Sequence, residues 1–460
     1  MTDAPPRGSL GDIDRRHVFH PFSVLRKHES AGPRRMIVRG SGSTVYDDRD
    51  RPYIDAMAGL WCVNVGYGRQ ELADAIYEQA LRLPFYHSFS SMATDTPAVL
   101  AERLIELAPA NMSKVLFGNS GSDANDTQVK LLRLFNNLQG RPEKKKIIAR
   151  DRGYHGVSVA SASLTGFASL HNGFDLPMSG VLHTRAPYRL REAAPNESDA
   201  ELVARLAAEL EATILAEGPE TVAGFIAEPV QAAGGVIVPP EGYFAAIQAV
   251  LRRHDVLLIA DEVVCGFGRL GAWFGGELLG MEPDLVTVAK GLTSAYVPLS
   301  ACIVSERVWR VLADEGGGRA FGHGYTYTSH PLSAACAIAN LELIERDGLC
   351  EQAAQRGAYL NQRLRAAFEG HPLVGEVRGV GLIAAVEFVA GVEPTRLFDP
   401  VGSVAARVDA ECLARGVITR ALPDADTISF SPPFVITEEE IDEIVEVARE
   451  AADVVAAELV

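Results

Sequence analysis

Lys290 is the only lysine after position 146, in a chain where seven of 43 basic residues are lysine and the rest arginine. It ends an apolar run of strand length in DLVTVAKGL (284–292). Arginine stays protonated, whereas a desolvated lysine can lose its proton and become a nucleophilic amine. Alone, the residue reads better as a lysine snorkelling from a strand end. Two other runs end on complementary chemistry. VLLIADEVVCGFGR (256–269) leaves Asp261 and Glu262 where a strand stops, and a carboxylate there costs desolvation energy unless a cation meets it. GNSGSDANDTQVKLLRLF (118–135) passes through a glycine and serine turn into an amphipathic helix, whose free N–H groups and dipole suit one phosphate. It lacks the GxxxxGK[ST] spacing of a triphosphate loop, and its plain alternative is a turn capped by Ser122 or Asp123.

Tyr154, in DRGYHG, adds a ring that can stack on a planar group. An amine, a carboxylate, a phosphate cup and an aromatic lid, each just past an apolar run, are what an aldehyde-bearing phosphorylated pyridine requires. In open α/β sheets the ligand crevice lies at the carboxyl ends of the strands.

The runs that must position these groups are Val115–Phe117, Ile147–Ala149, Val222–Ala227, Val256–Ala260 and Leu285–Ala289, apolar on both faces as a helix-covered parallel sheet demands. Residues 1–40 read as an extended arm with a short helix, and 43–56 as a hairpin turning at Asp48 to Asp50. Residues 201–218 carry Leu202, Leu206, Leu210 and Ile214 on one helical stripe. Strand-like 379–389 and 427–430 and a last helix opening at Thr437, with Glu440 placed for a capping box, suggest a smaller α+β unit at the C-terminal end. The expected division is an arm and part of a small domain at 1–67, a large cofactor domain at 68–334 and a small domain at 335–460.

Composition narrows the classes. A net charge of −17 without a long basic stretch argues against nucleic-acid binding. Six cysteines without CxxC or zinc spacing suggest free thiols in a reducing compartment. With neither a signal-peptide core nor a membrane-length apolar segment, a cytoplasmic protein without a membrane contact is expected. Gly379, Gly381 and Ala384 form GxGxxA with Asp399 some 20 residues on, but AAVEFV after it reads as a strand where a dinucleotide fingerprint must open a helix. His17 and His20 read as surface histidines rather than metal ligands, so no metal is expected.

Over nearly its whole length the chain resembles the class III pyridoxal-phosphate-dependent aminotransferases, in particular their amine:pyruvate or omega-transaminase branch. The resemblance lies in HPF (20–22), AGLWCVNVGYGR (58–69), LPFYHSF (83–89), NSGSDAND (119–126), GYHG (153–156), EPVQ (228–231), GGVIVPP (234–240), DEVVCGFGR (261–269), AKGL (289–292), YTYTSHP (325–331), RGVGL (378–382) and SPPFVIT (431–437). It implies the type I pyridoxal-phosphate fold, α/β with a mostly parallel sheet and a smaller α+β domain, and homodimers with active sites at the subunit interface. It further implies pyridoxal 5'-phosphate as cofactor, Lys290 as Schiff-base lysine and Asp261 as partner of the pyridine nitrogen. Val263 and Tyr154 match the two ring-packing positions, and Ser120, Gly121 and Ser122 the phosphate cup. Thr326 matches a phosphate ligand lent to the neighbouring subunit, while Glu228 and His155 match positions close to the cofactor. Phe22, Leu60 and Trp61 match pocket positions, and Arg420 a mobile arginine for a substrate carboxylate.

The chain departs from that pattern at Asp123, where Glu is usual, at Ala232 (Gly) and at Leu270 (Thr). Ala295 and Ser300 replace glycines in AYVPLSA, as Ser329 does in YTYTSHP, and the segment from Arg420 to SPP is about one residue longer. Val264, where many class III enzymes carry Gln, favours the pyruvate-using branch. The expected reaction is a two-half-reaction, ping-pong transfer of an amino group from an amine to a keto acid such as pyruvate. The rivals are an aminomutase, racemase or decarboxylase on the same fold, and a nicotinamide-dependent dehydrogenase.

Overall fold

Four of the apolar runs become inner strands of a seven-stranded sheet, and the fifth, Val115–Phe117, lies in one of its two edge strands. A computed structural model describes residues 8–318, 320–392 and 394–459. The strands lie in the order Met112–Gly118, Ser300–Ser305, Leu285–Val288, Leu257–Asp261, Val222–Ala227, Lys146–Arg150 and Val181–Thr184. The last five run parallel. Ser300–Ser305 is antiparallel to both neighbours. The chain returns to it from Val288 without a full helix, and so short a link permits only an antiparallel return.

Alternate residues of these strands feed two apolar layers. Ile147, Ile226, Ile259 and Leu285 pack with Leu131, Leu132 and Phe135 of helix Gly121–Leu138. Ile148, Phe225, Leu258 and Val286 face the opposite layer, which receives Leu202, Leu206, Leu210 and Ile214 of helix Asp199–Glu217. That helix opens on a capping box between Ser198 and Glu201, and the last helix, Glu438–Ala457, on one between Thr437 and Glu440.

Two smaller sheets flank the large one. Ile37–Ser41, Thr44–Asp47 and Pro52–Asp55 form a meander, the last two strands being the expected hairpin, and Pro52–Asp55 pairs in parallel with Val417–Ile418. Residues 8–40 hold two short helices, Leu10–His17 and Leu25–Ala31, where one was expected, before the strand at Ile37. The second small sheet contains Val374–Val380, Ile383–Phe388, Thr427–Phe430 and Arg420–Ala421. Its first two strands are antiparallel partners that turn at Gly381. The GxGxxA segment is thus a tight hairpin rather than one strand, and it opens no helix. Helix Pro331–Arg346 runs straight across the expected boundary at 334 and packs on helices Gln70–Arg82 and Asp95–Leu107. Among the described residues no helix is long and apolar enough to cross a membrane, and all six cysteines are free.

Candidate active site

The carboxyl ends of the central strands open on a cavity of about 600 Å³, lined by Lys290, Asp261, Glu228, Tyr154, His155, Gly121, Ser122, Val263, Phe22, Leu60, Trp61 and Arg420 among others. Twelve of the fourteen residues singled out from the sequence therefore line this one cavity.

Lys290 follows strand Leu285–Val288 and begins a single 3-10 turn. Its φ of +45° lies in the left-handed region, a strained conformation for a residue with a Cβ. The turn is over-determined from below, because the buried Asn340 amide donates to the carbonyls of Gly291 at 2.9 Å and Leu292 at 3.1 Å. The ammonium lies 5.5 Å from the Trp61 ring centre.

Asp261 closes the neighbouring strand and is buried. Its Oδ2 accepts from Asn125 Nδ2 at 2.8 Å and lies 2.8 Å from His155 Nδ1, and its Oδ1 accepts from the Val263 N–H at 3.1 Å. His155 Nε2 and Asn125 Oδ1 are buried without a partner. Glu228 accepts from the backbone N–H groups of Tyr154 at 2.9 Å and Ala232 at 3.1 Å, so it fixes the lid tyrosine by its main chain. Burial pushes the Glu228 carboxyl above its ordinary range.

Helix Gly121–Leu138 is capped by Ser120, not by Ser122 or Asp123. Ser120 Oγ accepts from the Asp123 N–H at 3.2 Å, and the Asp123 carboxylate accepts in return from the Ser120 N–H at 3.0 Å. Ser120 is thereby occupied and does not line the cavity, whereas Gly121 and Ser122 do. A Cβ on Gly121 would stand 3.2 Å from both Val263 methyls, so glycine keeps that slot open. Gly156, at φ +133°, lies so close to this helix start that a Cβ there would come within 2.6 Å of Ser122 Oγ. Ser300 Oγ donates to Asp123 Oδ1 at 3.1 Å, which joins two of the departures in one contact.

Trp61 is buried, while Phe22 and Leu60 are exposed at the mouth. The bend carrying Leu60 and Trp61 is held by Asp55, which accepts from the N–H groups of Met57 at 2.9 Å and Gly59 at 2.6 Å. Arg420 lies on a short strand paired with Ser429. Its guanidinium stands 4.8 Å from the Trp61 ring centre. Burial there lowers its affinity for a proton, opposed by the nearby Tyr154 hydroxyl. Thr326 is exposed and does not line the cavity.

Asn125, Gly156 and Asp55 were not singled out from the sequence. Asn125 could have been found, since it lies one helical turn beyond Gly121 and so on the face turned to the strand ends. His17 is exposed as expected, but His20 is not a free surface histidine: its Nε2 lies 2.9 Å from Asp14 Oδ1.

The donor set fits a phosphorylated pyridine aldehyde: an amine, a buried carboxylate across the cavity, a helix N-terminus opened by glycine and a tyrosine ring. Fold and site together define a pyridoxal-phosphate enzyme of the type I fold. The family model for class III aminotransferases matches residues 26–451, and the chain belongs to that family. It is 52% identical to a diaminobutyrate–2-oxoglutarate transaminase of Halomonas elongata, over 95% of this chain and 94% of that one. It is 46% identical to gamma aminobutyrate transaminase 1 of Solanum lycopersicum, covering 94% of this chain and 84% of the other. The solved omega transaminase of Pseudomonas jessenii in complex with PMP superposes with a TM-score of 0.95 at 46% identity, over 98% of this chain and 99% of that one.

Proposed function

We propose that this aminotransferase moves an amino group from an apolar or omega-amino donor to pyruvate, giving alanine. The observation that carries the acceptor is the cation count in the cavity. Arg420 is the only arginine among the described residues lining it, and Lys290 is the only lysine. With Lys290 reserved for the cofactor, one guanidinium remains, and it can pair one carboxylate in bidentate fashion. A dicarboxylic acceptor such as 2-oxoglutarate, which appears in the name of the Halomonas relative, would find no cation on this chain, among the described residues lining the cavity, for its second charge.

Bound pyridoxal phosphate supplies the electron sink for the carbon that gives up its amino group. Lys290 would hold the cofactor aldehyde and, once displaced by the donor amine, carry the proton from the donor carbon. Asp261 would keep the ring nitrogen protonated, its own charge fixed by Asn125, His155 and the Val263 N–H. Tyr154 and Val263 would pack on the two faces of the ring. Gly121 and Ser122 would receive the phosphate, with Thr326 added from a second subunit of a homodimer. His155 and Glu228 would act through Asp261 and Tyr154. Phe22, Leu60, Trp61 and Tyr154 would form the apolar wall for the donor. The large cofactor domain would take in the whole of helix Pro331–Arg346, with the small domain drawn from both chain ends.

The deciding experiment offers a panel of amines with pyruvate or 2-oxoglutarate and scores alanine and glutamate. Alanine as the dominant product supports the reading. Dominant glutamate replaces the acceptor, and turnover of an amino acid without any keto acid points to an aminomutase, racemase or decarboxylase.

A further inference from the structure

The N-terminal arm holds a cluster of side chains that the amino-transfer site does not use. Asp14 on helix Leu10–His17, His20 in the following link and His28 on helix Leu25–Ala31 turn their polar atoms to one point, all within 4.8 Å of one another. His20 Nε2 lies 2.9 and 3.0 Å from the two Asp14 oxygens. His28 Nε2 lies 3.4 Å from Asp14 Oδ1, is buried and makes no hydrogen bond. The two imidazoles stand 4.1 Å apart, ring centre to ring centre.

Two rings presenting the same nitrogen to one carboxylate form a poor hydrogen-bonding arrangement, because one His28 N–H is left without a well-directed acceptor. They form a good ligand set. Around a tetrahedral Zn²⁺, ligand atoms at 2.0–2.1 Å from the metal stand about 3.3 Å apart, close to the spacings of 2.9 and 3.4 Å from Asp14 Oδ1 to the two histidines. Two imidazole nitrogens and one carboxylate suit zinc or a similar late divalent ion, not magnesium or calcium, and leave one position for water. The neighbouring arginines do not compete for Asp14. Arg15 engages Asp12 at 3.6 Å and the Glu29 carbonyl at 3.2 Å, and Arg16 donates to the Asp12 carbonyl at 3.1 Å.

We propose that Asp14, His20 and His28 bind one Zn²⁺ or similar cation that clamps the two arm helices together. The link between the helices carries Pro21 and Phe22, which line the active-site cavity. Ser23 Oγ closes the same turn on the His20 carbonyl at 2.8 Å. The clamp therefore fixes a piece of the donor wall without touching the reacting groups.

The test titrates Zn²⁺ calorimetrically into chelator-treated holoenzyme. One ion per chain should bind at micromolar concentration or tighter. His28→Gln and Asp14→Asn should each weaken binding at least about tenfold, since even a lost outer-shell partner typically costs about that much, while His17→Ala on the same arm leaves it unchanged. The visible absorbance of the cofactor reports that every variant is folded. A second measurement needs no variant: Co²⁺ bound to the wild type should show d–d bands that Zn²⁺ abolishes. Absence of stoichiometric binding, or wild-type affinity in both ligand variants, overturns the proposal and leaves Asp14 a simple hydrogen-bond acceptor for His20.

Discussion

Asn125 joins Asp261 to the loop of the lid tyrosine: one amide nitrogen donates to Asp261 Oδ2 at 2.8 Å and to the His155 carbonyl at 2.7 Å. The contact is wholly buried, so its loss cannot be made good by solvent. Asn125→Ala should retain cofactor but lower kcat about tenfold, as expected for one hydrogen bond to a charged group, worth about 1.5 kcal/mol. Asn125→Asp places a second carboxylate against Asp261 and should be worse, with a loss that deepens as pH rises and both groups ionise. If Asn125→Ala is the more damaging of the two, the residue acts by volume and not by its amide.

The purified protein should be yellow, from cofactor held covalently by Lys290. Lys290→Ala should lose that absorbance and nearly all turnover while keeping its fold by circular dichroism. Normal turnover in this variant would remove Lys290 from the chemistry.

The Trp61 ring centre lies near both cavity cations, 5.5 Å from Lys290 and 4.8 Å from Arg420. Arg420→Ala should raise KM for pyruvate at least about tenfold, the equivalent of about 1.5 kcal/mol for a lost charged pair. The half-reaction with an amine lacking a carboxylate should change far less. Equal losses in both half-reactions, or none, would mean that Arg420 does not receive the acceptor.

Ala295 and Ser329 occupy positions where the resemblance leads one to expect glycine, and their φ values are +60° and +59°. A Cβ in the left-handed region costs about 1–2 kcal/mol, from which the greater unfolded-state freedom of glycine takes back about 0.4–1 kcal/mol. Ala295→Gly should therefore raise stability by about 0.5–1 kcal/mol in urea unfolding. A decrease would show that the methyl group makes a contact worth more than the strain.

Glu262, next to Asp261, accepts from the N–H groups of Gly275 at 3.0 Å and Gly276 at 2.7 Å, yet burial lifts its pKa to about 7. An acid that holds its proton more tightly when folded destabilises the native state as pH rises from the unfolded value to the folded one. The window here runs from about 4.5 to about 7, with a total effect of up to about 3 kcal/mol. The stability of the wild type relative to Glu262→Gln should fall across that window and stay level above it. A flat difference from pH 4.5 to 7 would mean that the two N–H groups offset the burial.

The sequence showed most clearly what repeats or what carries charge. Val222–Ala227 and Leu257–Asp261 were legible because both faces are buried, leaving an unbroken apolar run. Val181–Thr184 was not, since it is a half-exposed edge strand with a histidine and a threonine in four residues. The arm helices Leu10–His17 and Leu25–Ala31 bury no residue fully, so no periodicity records them. Within the site, Lys290 and Asp261 announced themselves as polar ends of apolar strands. Asn125 and Gly156 serve by holding other groups in place, and such service leaves no chemical signature in a residue type. Arg420 was found, but its strand of two residues is too short for any pattern to show.

The contact between Ser300 and Asp123 makes two apparently independent departures a single one. Asp123 is one methylene shorter than the Glu expected there, and Ser300 adds two heavy atoms, Cβ and Oγ, where glycine is expected. The space is already tight, for a Cβ on Gly118 would come within 2.4 Å of Asp123 Oδ1 and 2.7 Å of Ser300 Oγ. Lengthening residue 123 alone drives a carboxylate into the serine hydroxyl, and trimming residue 300 alone leaves a hollow beside a carboxylate short of a donor. Neither half-step is neutral, so the pair can be exchanged only together, and engineering that restores family residues one at a time would misjudge both positions.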